Sequence, residues 1–194
     1  RREFVAGMHG LGLLSSPEVV AAVDLSRFRH LCDVGGATGH LAIAACRRYP
    51  GLRATVFDLP DVIGQARPYV EAAGLADRID LRAGDFFRDP LPEADLYALG
   101  RIVHDWTEEK IASLLGKIHG QLPVGGGLLI AERILYPSKG GPLSANLQSL
   151  NMLVVVEGKE RTAAEYEALV RRAGFRDFEA RATGRPLDAM LAIK

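Results

Sequence analysis

The stretch HLCDVGGATGHLAIAACRRYP, residues 30–50, decides the fold of this chain. It opens with a short apolar run that ends in glycines, the pattern of a buried strand followed by a tight turn. After Gly39 the apolar residues take helical spacing, and Pro50 ends the run. The stretch therefore predicts a strand, a glycine-rich turn and a helix, which is the repeating unit of a parallel sheet.

The same alternation continues to the end of the chain. The predicted strands lie at 30–36, 53–60, 78–85, 94–100, 125–135 and on either side of Pro186. The predicted helices lie at 39–50, 61–74, 107–122, 143–156 and 162–174. We expect an α/β fold, a Rossmann-like doubly wound sheet of seven strands that is mostly parallel with one antiparallel edge strand.

Three helix starts carry capping signals. Thr107 stands where it can cap the helix after it, and Thr162 with Glu165 forms a capping box. Near the N-terminus, Ser16 followed by Pro17 predicts a helix that begins at this point.

Charge and composition make several partners improbable. Lys plus Arg number 24 and Asp plus Glu number 24, so the formal net charge is zero and a nucleic-acid partner is not expected. No apolar run approaches the roughly 20 residues that span a bilayer, so no membrane partner is expected either. Cys32 and Cys46 fall in buried elements without metal-ligand spacing, which predicts a reducing, cytoplasmic setting and no metal site.

Five predicted strands end in polar or glycine-rich residues. Ligands of open α/β sheets bind beyond the carboxyl ends of the strands, so these endings should line one crevice. The residues concerned are Gly35, Gly36, Asp58, Gly84, Asp85, Phe86, Arg101, His104 and Glu132.

The crevice favours a nucleoside cofactor without phosphates. Ala37 breaks the dinucleotide pattern G-x-G-x-x-G, and no Gly-Lys-Ser/Thr follows. Asp58 lies 19 residues after Gly39, where a carboxylate can accept both ribose hydroxyls. S-adenosylmethionine fits: the glycine loop leaves room for its methionyl tail, and Asp85 can accept a hydrogen bond from its adenine amine.

His104 has two interpretations from its position alone. It is either a partly buried structural histidine or a general base, since a neutral imidazole of reference pKa about 6.5 can take a proton from a phenol. Glu132 and Glu160 are candidates for the carboxylate that fixes the tautomer. The alternative for Glu132 is a surface ion pair with Arg133 or Arg161, and the alternative for Glu160 is a solvated charge beside Lys159. Arg101 has a surface ion pair as its alternative, and Asp105 can simply begin the next helix.

Six motifs together resemble a known family: CDVGGATGHLA, VFDLPDVI, AGDFFRDPLPEADLY, RIVHDW, LNMLVVVEGKERT and AGFRDF. They are similar to the catalytic domain of small-molecule O-methyltransferases that depend on S-adenosylmethionine. That group includes acetylserotonin, plant caffeate and flavonoid, and bacterial tailoring enzymes. The resemblance covers about residues 30–194, and its most specific part is HDW followed by GKERT.

The resemblance implies a role for each candidate. Gly35 and Gly36, with Gly84, would contact the cofactor; Asp58 would hold its ribose, Asp85 with Phe86 its adenine, and Arg101 would lie near its carboxylate. His104 matches the catalytic base, and Glu132 and Glu160 match the acidic residues beside it. Asp105, Asn151 and Met152 match positions near the acceptor.

The resemblance also shows two departures. Ala37 replaces a glycine of the usual DVGGGTG loop, and a negative φ at this residue would make its methyl group harmless. Val155 stands where the acetylserotonin enzyme has a glutamine near its substrate, which argues against an indole acceptor.

By the same resemblance, residues 1–29 are connecting helices that follow an N-terminal dimerisation domain outside this chain. Residues 30–194 are the S-adenosylmethionine-binding catalytic domain. The expected function is methyl transfer to a hydroxyl of a small aromatic or polyketide-like acceptor by a homodimer. A nicotinamide-dependent oxidoreductase and a catalytically silent scaffold of the same fold remain the alternatives.

Overall fold

The structure is a computed structural model that describes the backbone of residues 2–194 and the side chains of residues 7 and 9–194. Its centre is a seven-stranded sheet. The strands are β1 (His30–Val34), β2 (Arg53–Asp58), β3 (Ile79–Ala83), β4 (Leu96–Gly100), β5 (Gly127–Glu132), β8 (Arg176–Arg181) and β9 (Asp188–Ile193). Two short strands, β6 (Ile134–Leu135) and β7 (Arg161–Thr162), pair with each other beside it.

The order across the sheet is β3-β2-β1-β4-β5-β9-β8. The first five strands in this order run parallel, and β9 runs antiparallel to both of its neighbours. The predicted fold class is confirmed, and the antiparallel strand belongs to the edge hairpin, in which β8 is the outermost strand. The strand order changes direction between β1 and β4, which is where ligands of such sheets bind, beyond the carboxyl ends of these two strands.

Helices cover both faces of the sheet. They are α1 (Arg2–Ala22), α2 (His40–Arg48), α3 (Pro60–Ile63), α4 (Arg67–Ala72), α5 (Glu108–Gln121), α6 (Leu143–Val155) and α7 (Ala163–Arg172). A 3₁₀ turn, Val103–Asp105, lies between β4 and α5. Both capping predictions at Thr107 and Thr162 are confirmed, because each hydroxyl accepts a hydrogen bond from the backbone of its helix.

Two helix predictions were wrong in detail. Ser16 does not begin a helix, because α1 continues through Ser16 and Pro17 and the Ser16 hydroxyl lies 2.8 Å from His40 Nδ1 on α2. The predicted helix 61–74 is divided into α3 and α4. Pro68 occupies the first turn of α4, where its missing N–H costs no hydrogen bond.

The core is divided by the sheet into two apolar layers. Alternate residues of β5 point to opposite faces, so Leu129 packs with the layer under α1 and α2, while Leu128 and Ile130 pack with the layer under α5 and α7. All three are at most 1% exposed. Among the described helices, none has the length and apolar character needed to cross a membrane.

Candidate active site

The glycine-rich loop after β1 is held by the ends of its neighbours. Gly35 N–H donates to Phe57 O (2.7 Å), and Ala37 N–H donates to Asp58 Oδ2 (2.8 Å). Gly84 N–H donates to Asp58 O (2.9 Å), which ties the loop after β3 to the same point. The structure therefore brings together the three polar strand ends that the sequence placed in one crevice.

Glycine is required at two positions of the loop. Gly35 has φ +69°, and a Cβ there would collide with Ile102 Cδ1 and lie 3.6 Å from the Phe86 ring. A Cβ at Gly36 would lie 2.6 Å from the Asp33 carboxyl carbon. Because neither residue has a side chain, the loop backbone can pass close to its neighbours and leave the crevice open.

Ala37 corrects an expectation about this loop. Its φ is +48°, in the left-handed region, and not negative as a harmless methyl group would need. The hydrogen bond from its N–H to Asp58 accounts for this conformation, since it orients the Ala37 peptide toward β2. The alanine therefore carries a strain of about 1–2 kcal/mol that glycine would not have.

Asp58 and Asp85 are both anchored by backbone groups. Asp58 Oδ1 accepts from Leu59 N–H (2.7 Å), and burial raises the pKa of the Asp58 carboxyl. Asp85 Oδ1 accepts from Phe87 N–H (2.9 Å) and is half-buried. These backbone hydrogen bonds fix the orientation of each carboxylate at the rim of the sheet.

Three aromatic rings, those of Phe86, Phe87 and Trp106, pack together between the loop after β3 and the 3₁₀ turn. The Phe87 ring meets the Trp106 ring edge to face at 4.9 Å, and Phe86 lies 4.7 Å from Phe87. Lys117 Nζ donates to the Phe86 carbonyl (2.8 Å), which fixes the loop from below. Both phenylalanines are half-buried, so neither is plain core.

Arg101 directly follows β4 at the rim. It adopts φ +58°, and its N–H donates to Ala131 O (3.1 Å) on β5. The side chain is half-buried, and burial lowers the pKa of the guanidinium.

His104 lies on the 3₁₀ turn, buried between two glutamates. Its Nδ1 is 2.8 Å from Glu160 Oε1 in hydrogen-bond geometry. Glu132 Oε2 is 3.3 Å from the same nitrogen but makes no hydrogen bond with it, so the Nδ1 proton is directed to Glu160. On the other side, Nε2 faces Asp105 Oδ1 at 3.4 Å.

Glu132 holds the turn itself. Its Oε1 accepts from the backbone N–H groups of Ile102 (2.9 Å), Val103 (2.8 Å) and His104 (3.3 Å). Its side chain and that of Glu160 are 0% exposed, which excludes the surface alternatives considered for them. The end of β5 therefore fixes the backbone that presents the imidazole.

The pKa of His104 depends on the carboxylates packed around it. Burial by itself lowers the pKa of the imidazole, but the opposing effects of Glu132, Glu160 and Asp105 are larger together and raise that pKa to about 9. Burial raises the pKa of Glu132 to about 7. The carboxylates around His104 therefore favour the protonated imidazole over the neutral ring.

The three residues expected near the acceptor take different environments. Asp105 is about one-third exposed at the mouth of the turn. Asn151 and Met152 lie on α6; Asn151 is exposed, while Met152 is buried and its sulfur is 3.7 Å from Gln148 Nε2. A groove of about 760 Å³ beside α6 is lined by Trp106, Leu150 and Leu153, and its described lining does not include Asn151 or Met152.

Among the described residues, the side chains of His104, Glu132 and Glu160 lie close enough together to ligate a metal ion. Their ligand atoms lie within 4.8 Å of one another. In this cluster, however, Nδ1 is engaged with Glu160, and Glu132 Oε1 accepts three backbone hydrogen bonds. The geometry is that of a shared proton between imidazole and carboxylates.

Sequence reasoning missed two residues that shape this site. Arg161 is 2% exposed and donates to the backbone of the turn, whereas its charge had suggested only a surface partner for Glu132. Gly158 packs directly on His104 O. The only signal in the sequence is that both belong to the GKERT motif.

Comparisons with known proteins agree with this geometry. The profile of the family described as O-methyltransferase domain matches residues 1–176. Acetylserotonin O-methyltransferase of Bos taurus is 48% identical over the whole chain, which spans 56% of that protein. A probable bifunctional dTTP/UTP pyrophosphatase/methyltransferase protein of Homo sapiens is 46% identical over the whole chain, which spans 31% of it.

A solved structure shows the same fold. It is human N-acetylserotonin methyltransferase in complex with SAM, with a TM-score of 0.93 and 44% identity. The match covers 98% of this chain and 55% of that one. This chain thus spans about half the length of the acetylserotonin enzymes it matches.

Proposed function

This chain belongs to the O-methyltransferase domain family, and from that premise we propose that it transfers the methyl group of S-adenosylmethionine to a hydroxyl of a small aromatic or polyketide-like acceptor. The observation that carries the proposal is the buried hydrogen bond between His104 Nδ1 and Glu160, beside a glycine-rich crevice. His104 is the general base, and Glu132 and Glu160 support it.

The crevice residues fit the cofactor. S-adenosylmethionine supplies an electrophilic methyl group on a sulfonium. Gly35 and Gly36, with Gly84 nearby, leave the backbone bare where a Cβ would meet neighbouring side chains. Asp58 would hold the ribose hydroxyls and Arg101 the carboxylate, and the solved human relative in complex with SAM supports the choice of cofactor.

The adenine end and the acceptor end follow from the same geometry. Asp85, held by Phe87 N–H, would accept from the adenine amine, and the Phe86 ring would cover the base. Asp105 and Asn151 would contact the acceptor, with Met152 behind them. Val155 is 67% exposed and apolar, so we propose an acceptor less polar than acetylserotonin at this contact.

The imidazole can act as base although its pKa is high in the ligand-free chain. A cation held close to it disfavours the imidazolium, so His104 loses its proton when the crevice is filled. Nε2 then accepts the hydroxyl proton, and the Nδ1 hydrogen bond to Glu160 fixes the tautomer. A phenol has a pKa near 10 and is mostly protonated at neutral pH, so it needs such a base to take its proton during attack.

We further propose a homodimer in the cytoplasm, formed through the N-terminal dimerisation domain expected outside this chain. Leu143, Leu147, Leu150 and Val154 are all more than half exposed along one stripe of α6, an apolar face that such a domain or the partner protomer would cover. Cys32 and Cys46 are free and buried, which is consistent with a reducing compartment.

The test is methyl transfer from labelled S-adenosylmethionine to a panel of phenols, indoles and hydroxyquinones, using the full-length protein. We expect His104→Gln to lower the transfer rate by about 10²- to 10⁴-fold, because the proton acceptor is lost. We expect cofactor affinity to stay unchanged, since His104 does not form the glycine loop. The wild-type rate should rise with pH until His104 is deprotonated.

His30→Gln is the matched control. His30 begins β1, and its Nε2 lies 2.8 Å from Thr55 Oγ1, at the opposite end of the strand from the crevice. This variant should keep the wild-type rate and pH profile. An unchanged rate in His104→Gln would refute the general-base role, and no transfer to any acceptor would refute the proposed reaction.

A further inference from the structure

Arg161 is a buried cation that has no role in the proposed reaction as described so far. It begins β7, immediately after Glu160, and its side chain is 2% exposed. A buried guanidinium is stable only when its donors are satisfied. Its hydrogen bonds therefore show what this side chain holds together.

One nitrogen of Arg161 joins the two segments of the site. Nη1 donates to Val103 O (3.2 Å) and to Lys159 O (3.0 Å). These are the carbonyl groups directly before His104 and directly before Glu160. The two segments lie 56 residues apart in the chain, and the imidazole–carboxylate hydrogen bond spans them.

The other side of the guanidinium is anchored on α5. Nε and Nη2 donate to Glu108 Oε1 at 3.3 and 3.0 Å, in the fork geometry that arginine provides. Glu108 is also paired with Lys159 (3.4 Å) and Arg172 (3.8 Å). The plane of the guanidinium is thereby fixed while Nη1 points inward.

The backbone beside Arg161 packs on the same turn. A Cβ at Gly158 would collide with His104 O, and Glu157 N–H donates to Asp105 O (3.2 Å). The close approach of the two segments therefore needs both a glycine and a donor that reaches carbonyl groups on each side. Arg161 supplies that donor.

We propose that Arg161 is the positioning residue of the His104–Glu160 pair: it sets their hydrogen bond by holding the two backbone segments that carry them. Lysine cannot replace it, because a single ammonium group on a flexible stem does not present parallel donors to two carbonyls and a carboxylate at once. The inference rests on the proposed function only for its effect on catalysis.

The first test is spectroscopic and needs no substrate. In this chain labelled with ¹⁵N-histidine, the proton shared by Nδ1 and Glu160 gives a low-field resonance, which His104→Gln identifies by its loss. We expect Arg161→Lys, which keeps the positive charge, to remove this resonance or move it upfield. In the full-length protein, the same variant should lower kcat by about 10- to 100-fold with little change in KM or cofactor Kd.

Two variants separate positioning from general stability. Arg78 donates from Nη2 to the carbonyls of Cys46 (2.5 Å), Tyr49 (3.0 Å) and Leu52 (2.8 Å), far from the site. Arg78→Lys should lower Tm but keep the resonance and kcat. Glu108→Gln keeps an oxygen that Arg161 can use and leaves both carbonyl contacts, so it should keep the resonance.

An Arg161→Lys variant that retains the low-field resonance and kcat would overturn the proposal. So would loss of the resonance in Arg78→Lys to the same extent, because the effect would then follow from stability alone. If Arg161→Lys alters the resonance while the wild-type protein transfers no methyl group, the positioning role stands and the proposed function fails.

Discussion

His104, Glu132 and Glu160 form one buried cluster, in which the charge of each side chain affects its neighbours. Burial disfavours every charge in the cluster, yet each carboxylate favours an imidazolium between them. Glu132 Oε2 and Glu160 Oε2 have no hydrogen-bond partner among the described residues, so a second ionised carboxylate is poorly compensated. The neighbouring carboxylates favour the positive charge on the imidazole, and Nε2 is the nitrogen that can accept a proton once the ring has become neutral.

The backbone conformation of a single residue, Ala37, leads to a testable prediction. Ala37→Gly should raise the free energy of unfolding by about 1 kcal/mol, because glycine adopts φ +48° without strain and the strain relieved exceeds its entropy cost. Urea denaturation of the two proteins measures the difference. Ala44→Gly on α2 is the control, and it should cost about 1 kcal/mol because its backbone is helical. Equal effects of the two substitutions would show that Ala37 is not strained.

At the scale of elements, β7 and α7 connect the active site to the second apolar layer. β7 carries Arg161 into the site, and α7 follows at once, with Tyr166 and Leu169 packed under the sheet. Thr162 N–H donates to Glu165 Oε2 (2.8 Å), and Glu165 N–H donates to Thr162 Oγ1 (3.2 Å). This reciprocal capping box fixes where α7 begins and so where Glu160 and Arg161 lie.

The capping box predicts a stability difference between two helix starts. Thr162→Ala should lower the free energy of unfolding by about 1–2 kcal/mol, since it leaves a helix donor without its partner. Thr107→Ala should cost less, because its hydroxyl makes a single 3.4 Å bond with Lys110 N–H. Thr162→Ser keeps the hydroxyl and should recover most of the loss in urea denaturation. Equal costs at the two threonines would contradict the role of the box.

At the scale of the whole molecule, the buried cluster links stability to pH. The pKa of His104 is about 9 in the folded chain against 6.5 for a free histidine, so its contribution is complete below pH 6.5 and is lost as pH rises through 9. The raised pKa of Glu132, about 7, acts in the same direction between pH 4.5 and 7. In both cases the folded state binds more protons than the unfolded state, so stability falls with rising pH.

We therefore expect the free energy of unfolding to fall between pH 7 and pH 9.5 by about 2 kcal/mol more in the wild type than in His104→Gln. The variant retains every titrating group outside the cluster, so the difference between the two curves isolates the cluster that His104 forms with Glu132 and Glu160. Urea denaturation at a series of pH values measures it. Parallel curves would mean that His104 is not held as an imidazolium in the folded chain.

Much of the architecture follows from local sequence patterns. The run around Cys32, the glycines after it and the helical spacing beyond Gly39 each depend on near neighbours, and so predict β1, the loop and α2. The common location of the polar strand ends is predictable in the same way, because parallel strands place their carboxyl ends at one edge of the sheet. The capping box at Thr162 is also a local pattern.

Sequence patterns by themselves therefore determined the doubly wound sheet, a crevice at the carboxyl ends of its strands, and the set of polar residues around it. Only the tertiary structure decided that Ser16 lies inside α1, that Ala37 is left-handed, and that Arg161 is buried. It also decided the charge of His104, because Glu132 and Glu160 reach the imidazole from 28 and 56 residues away. Burial and the electrostatic field at a site are sums over such distant neighbours, which local spacing does not record.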